Sequence, residues 1–430
     1  MAGPSRVICY ACRVNPALSE PVAAHAGRRA MSPLLVVVVL ALLLGIQPVT
    51  TDIYLPALPE LQRDLAAPMS QVQLTFAALL LSFGISQLVW GPLSDRFGRR
   101  PILLWGMGAY VLASVACVLA PSMPLLIAAR VAQGIAMGAA VMCARAIVRD
   151  LYAPLEGARM MSRGLSGLGV IAIVCAPLGG LLTDLLHWRA ALAVLALFGI
   201  GTWALLALRF QETLAQRNPH ALAPGTLWRS WATIARHPTF ITYSLLSTSS
   251  YVALFTYLAS SSFVLIGALG LSRTAYGALM AAGSVVYILG TIACRRLLLR
   301  WGIRRTVFAA GFVTFAAGAL MAALAWIGWG QAWYGAWAIF VPQALFILAH
   351  GVHQPVGQSG TVAPFPQMAG AASALNGFLM MATAFPMGLW LGQAMDGTPR
   401  ALAIGFFGWC TVIALTAWTL VQRHGEPPAH

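Results

Sequence analysis

Ten residues, Gly91 to Arg100 (GPLSDRFGRR), carry one carboxylate and three guanidinium groups between two long apolar runs. Such a cluster cannot lie in hydrocarbon, so it marks a membrane surface between two spanning segments. A solvated basic turn accounts for Arg96, Arg99 and Arg100. It does not account for Gly91, Asp95 and Gly98 at their fixed offsets.

Of the 430 residues, 60 % are hydrophobic and 9 % charged, against about 25 % charged in soluble proteins, so the chain reads as an all-α polytopic membrane protein. At about 20 residues per span, twelve helices and short loops use the length. All basic side chains are Arg, 26 of them. With the ten-residue loop inside, about 21 fall on that side, about four outside (Arg63, Arg189, Arg273, Arg400) and Arg130 within a span. That bias follows the positive-inside rule and puts both termini in the cytoplasm. The net charge of +15 therefore needs no nucleic acid.

The spans show no paired carboxylates, no nucleophile with a base and no metal-ligand set, which argues against an enzyme and against a metal. His350 and His353 read as lying near the inner end of the tenth helix, without a third ligand. The seven cysteines are odd in number and five of them lie in or beside apolar runs, so they form no disulfide framework, and Cys9 and Cys12 read as free thiols.

Residues 1–32 form a polar tail with three readings: a disordered cytoplasmic segment, an over-long start with Met31 as true initiator, or a cleaved signal, the last disfavoured for want of a small-x-small site. A six-helix bundle follows over 33–209, a cytoplasmic linker over 210–237, a second bundle over 238–421 and a short tail over 422–430. The first helix is expected over Leu34–Pro56. Asp52, about 27 Å along it, is the one carboxylate inside a span, at a helix C-terminus where the dipole disfavours an acid. Arg130 lies at a similar depth, and Glu60, Arg63 and Asp64 read as solvated. On the fifth helix, Ala176, Pro177, Gly179 and Gly180 suit tight packing and a kink. On the seventh, Tyr243, Ser247, Ser250, Tyr251, Tyr257 and Ser261 recur at helical spacing, which predicts a cavity wall. Tyr54, Gln133 and Asn376 join that wall as the substrate cavity. The second half repeats the first: Arg300–Arg305 echoes Arg96–Arg100, and Gly302 follows Gly98 by 204 residues.

The loop matches, position for position, the motif between the second and third helices of the major facilitator superfamily. With TDIYLPALP (51–59), RVAQG (130–134), APLGG (176–180) and FPQMAGAASAL (365–375), the chain resembles the Bcr/CflA branch, the bacterial drug:proton antiporters. Ala176 stands where the antiporter motif usually has glycine. The resemblance implies two six-helix bundles in the bacterial inner membrane, a monomer, and no cofactor. It implies export of small amphipathic compounds (bicyclomycin-, chloramphenicol- or sulfonamide-like) driven by protons. By position, Asp52 is the proton carrier and Arg130 its partner. Gly91, Asp95, Arg96, Gly98, Arg99, Arg100 and Asp150 form a conformational latch, with Asp95 meeting the N-terminus of helix 11 and Asp150 pairing with a loop Arg. The alternative is a transporter of a metabolite, sugar or organic acid, for which more charged cavity residues would be expected.

Overall fold

The computed structural model describes residues 31–152, 154–219, 221 and 224–425; Cys9, Cys12 and the tail before Met31 lie outside them. Among the described residues there is no strand. The spans are α1 (Pro33–Asp52), α2 (Met69–Phe97), α3 (Arg99–Leu119), α4 (Met123–Leu151), α5 (Pro154–Leu185), α6 (Trp188–Arg209), α7 (Pro238–Ser262), α8 (273–301), α9 (303–327), α10 (Ala336–Val362), α11 (Ala369–Ala394) and α12 (Arg400–Trp418). The segment Arg273–Ile327 is nominally one helix of 55 residues. That would reach about 80 Å, far beyond a hydrocarbon core of about 30 Å. It turns back at Gly302, whose φ of 71° and ψ of −179° leave the helical region, and so counts as two spans. Gly98, between α2 and α3, has φ 105°. Both repeats thus reverse on a glycine in backbone space that a Cβ disfavours.

The first helix ends earlier than the sequence suggests. α1 stops at Asp52, and the chain continues as a 3-10 turn, Leu55–Ala57, and a short helix, Leu58–Asp64. Pro56 and Pro59 have no N–H to continue the ladder, which explains the break. Pro48 inside α1 is tolerated, as in other membrane helices.

The halves α1–α6 and α7–α12 meet along two seams, α2 with α11 and α5 with α8. Outside the seams, Leu112, Leu208 and Leu299 are 73, 80 and 90 % exposed. In water such a surface would aggregate; around a transmembrane bundle it is the lipid-facing belt. Trp326, Trp333 and Trp337 are exposed at the turn from α9 to α10, where an interfacial aromatic girdle belongs. We call the end carrying the Gly98 loop the Arg-rich end and the end carrying Asp184 and Arg273 the Arg-poor end.

Candidate functional site: a bundle closed at both ends

At the Arg-rich end the latch residues divide into an assembled core and a periphery. Arg99 is 1 % exposed and is gripped on three sides. Its Nη1 lies 2.6 Å from Asp95 Oδ1, its Nε 2.8 Å from Asp150 Oδ2, and Nη1 also donates to Ser94 Oγ at 2.6 Å. The expected pairing of Asp150 with a loop arginine is therefore present. Arg100 donates to the carbonyls of Phe210 (2.9 Å) and Ala207 (3.0 Å), placing a cation on the C-terminus of α6, where the dipole is negative. Arg96 is exposed and only overlies the Phe97 ring, and Gly91 packs loosely against Met142. The sequence reading missed Glu212, whose carboxylate accepts from the backbone N–H of Arg99 (2.9 Å) and of Arg100 (3.1 Å). It caps α3 from the linker, 112 residues away from Arg100. No local spacing could have indicated it.

Asp95 does not meet the N-terminus of α11 as expected. Arg99 and Arg149 take its carboxylate, the latter at 3.8 Å, and it is Arg149 that lies beside Gly370. The nearer cations win. A second contact between the halves comes from Arg145, whose Nη1 donates to Ser373 Oγ on α11 at 2.6 Å.

The Arg-poor end is also tied across the halves. Arg273, at the start of α8, lies 3.2 Å from both Glu60 and Asp184. Asp184 Oδ2 accepts from Thr274 N (2.9 Å) and Thr274 Oγ1 (2.7 Å), capping α8 from the opposite half. Gln73 Nε2 donates to the Ala259 carbonyl at 2.6 Å. Glu60 is thus not the solvated acid the sequence suggests, whereas Asp64 is exposed as expected. Glu60 is 16 % exposed and ion-paired, and Asp64 accepts from Trp188 Nε1 (2.9 Å) and lies 2.6 Å from His187 Nε2. The donor atoms of Glu60, Asp64 and His187 lie within 4.8 Å of one another, but these protein partners already use them.

Between the two ends, Asp52 and Arg130 do not pair. Residues 50 and 52 are about 200° apart on a helix, so they face opposite ways. Thr50 faces α3 and α4, bonding Tyr110 OH (2.7 Å) and accepting from Arg130 Nη1 through its carbonyl (3.3 Å). Arg130, fully buried, stacks 3.7 Å over the Tyr54 ring and donates to Gln133 Oε1 at 2.8 Å. Tyr54 OH bonds Thr75 Oγ1 and Gln133 Nε2 bonds Ser114 Oγ. Tyr54 and Gln133 therefore form a cage for Arg130 within the first half rather than a cavity wall. Asp52 turns the other way, away from the Arg130 cage. Among the described residues it accepts from Thr51 Oγ1 at 2.7 Å, and no ion pair reaches it.

The antiporter-type motif lies beside it. A Cβ on Gly179 would overlap the Ile53 carbonyl, one residue past Asp52, and a Cβ on Gly180 would overlap the Arg273 carbonyl. From the other side, a Cβ on Gly277 would come within 2.6 Å of the Ala176 carbonyl. Pro177 sits inside α5 on the same contact. Ala176, 2 % exposed, thus offers its backbone to the seam, which explains how an alanine serves where glycine is usual.

The polar stripe on α7 is not one open wall. Tyr243 OH donates to the Gly425 carbonyl at the Arg-rich end, a packing contact. Ser247 bonds Asn376 Oδ1 (3.1 Å) on α11, Ser250 bonds His350 Nδ1 (2.7 Å) on α10, and Ser261 bonds Tyr276 OH (2.8 Å) on α8. Tyr251 is half-buried and Tyr257 is buried among α7, α8 and α10. The histidines also need correction. α10 continues to Val362, so His350 sits mid-span rather than near the inner end, and His353 reaches Thr314 at 3.0 Å.

Comparison with known proteins followed this geometry. The description "Major Facilitator Superfamily" matches residues 40–388. The chain is 31 % identical over 343 residues to "Multidrug resistance protein D" of Escherichia coli (strain K12), covering 79 % of this chain and 84 % of that one. It is 26 % identical over 388 residues to "Bicyclomycin resistance protein homolog" of Haemophilus influenzae, covering 90 and 96 %. Among solved structures, a D-xylose-proton symporter superposes with a TM-score of 0.69 at 15 % identity over 90 % of this chain and 97 % of that one, a likeness of fold.

Proposed function

Because the chain belongs to the major facilitator superfamily, in its Bcr/CflA-type branch of drug transporters, we propose that it exports small amphipathic compounds, of bicyclomycin, chloramphenicol or sulfonamide type, in exchange for protons. The Arg-rich end is cytoplasmic in this reading, and both termini lie there. The observation that carries it is Asp52, a carboxylate at the end of α1 beside the seam of α5 with α8, with no ion pair among the described residues. A group that must alternate between charge states cannot be locked to a cation in either.

Alternating access is the motion this reading calls for, and the contacts at the two ends suit it. To open outward, the protein releases Arg273 from Glu60 and Asp184 while Arg145–Ser373, which joins the halves at the Arg-rich end, holds. To open inward, it does the reverse. Arg130 keeps its role within the first half, holding Tyr54 and the end of α1 on which Asp52 stands.

Transport in proteoliposomes with and without an imposed pH gradient tests the reading. Asp52→Asn should insert normally, bind substrate and lose gradient-driven export. Retained drug-driven proton release by the purified variant would falsify the assignment.

A further inference from the structure

Gln343 on α10 is 1 % exposed, and among the described residues neither its Oε1 nor its Nε2 has a hydrogen-bond partner. A native amide is seldom left unpaired at both ends, so the site is built for a guest that bonds to it. The side chain borders a cavity of about 20 Å³ walled by Tyr257, Met280, Gly283, Phe340 and Ile347. One water molecule fits such a space.

The position has a counterpart. Arg130 stands seven residues past Met123, the start of α4, and Gln343 seven residues past Ala336, the start of α10. These are the fourth spans of the two repeats. Arg130 lies against Tyr54, at the end of the first span, which bonds Thr75 of the second. Gln343 lies against Tyr257 of the seventh span and Met280 of the eighth, the same two members of the other repeat. Arg130 likewise keeps Nε and Nη2 without hydrogen-bond partners. The repeat has put a neutral amide where the first half has a guanidinium.

We propose that the Gln343 pocket, which takes in the second repeat the place that the Arg130 cage takes in the first, is a polar subsite for a neutral group of the exported compound with adjacent donor and acceptor, such as a carboxamide. The inference rests on the export reading above. Oε1 accepts from the guest's N–H or O–H, and Nε2 donates to its carbonyl. The other walls are apolar apart from the Tyr257 hydroxyl and contain no countercharge, so an ionised group is refused. In the unloaded protein one water makes the same two bonds and leaves when the pocket opens around the substrate.

Binding to purified full-length protein separates the possibilities. The probes are chloramphenicol, which has an amide beside hydroxyls, and tetraphenylphosphonium, an apolar cation with neither donor nor acceptor. Gln343→Met keeps the volume and should weaken chloramphenicol binding about 10-fold while leaving tetraphenylphosphonium within about twofold. Gln343→Leu supplies the same comparison should the Met variant not purify. Unchanged chloramphenicol affinity, or equal loss of both probes, overturns the subsite while leaving the export reading standing. Wild-type protein that binds neither probe removes both.

Discussion

Arg273→Ala should shift the protein toward a state open at the Arg-poor end. The side chain makes two ion pairs across the halves, each at 3.2 Å, with Glu60 and Asp184. Their exposures, 21 % for Arg273, 16 % for Glu60 and 27 % for Asp184, place the pairs between surface and interior. A surface pair contributes up to about 1 kcal/mol and a buried one more, so about 1 kcal/mol each, or about 2 kcal/mol together, is a fair magnitude. That corresponds to a shift of about 30-fold in the ratio of open to closed forms. Nitroxide labels on Arg63→Cys and Gln393→Cys, exposed positions on opposite halves, would report the separation by pulsed electron resonance. The long-distance population should grow by about that factor in Arg273→Ala and little in Arg63→Cys/Gln393→Cys alone. An unchanged distance distribution, with or without a lower melting temperature, refutes the gate.

Two further outcomes test the inner end and the seam. Asp150→Asn removes the charge of a 2.8 Å partner from a buried arginine and should cost about 2 kcal/mol of stability in thermal denaturation, whereas Arg96→Ala, on an exposed side chain, should cost almost nothing; equal effects would mean the cluster acts only as surface charge. Gly180→Ala should abolish transport with insertion intact, because the new methyl meets backbone, while Gly169→Ala, with nothing within 4 Å, should transport normally.

What could be read in advance followed from rules that act along the chain. Apolar runs of span length, the arginine bias and the glycine repeated at 98 and 302 were enough for twelve helices in two repeats. That Asp150 pairs with an arginine of the loop was legible through resemblance alone, and the structure identifies that arginine as Arg99. What was lost depends on rotation about helix axes and on segments far apart in sequence. Asp52 and Arg130 share a depth, yet a 200° turn between residues 50 and 52 sends them to different sides of α1. Glu60 looked solvated because Arg273, its partner, lies 213 residues further on. The α7 stripe was real as a pattern, but its hydroxyls were claimed one by one by α8, α10 and α11. Mistaking the end of α10 moved the histidines out of the middle of the membrane.

The seam between α5 and α8 has a consequence for leakage. There, Gly180 meets the main chain of Arg273 and Thr274, and Gly277 that of Ala176 and Pro177. Two such smooth surfaces can roll past one another like a bearing, so the resistance to rocking comes from the charged stops at either end. The same closeness makes the contact a gasket. In the proposed exchange of drug for proton, the contact denies water a continuous thread beside Asp52, since any such thread would let protons cross unaccompanied and dissipate the gradient. Bare backbone, packed this tightly, leaves no gap wide enough for that thread while still permitting the surfaces to slide.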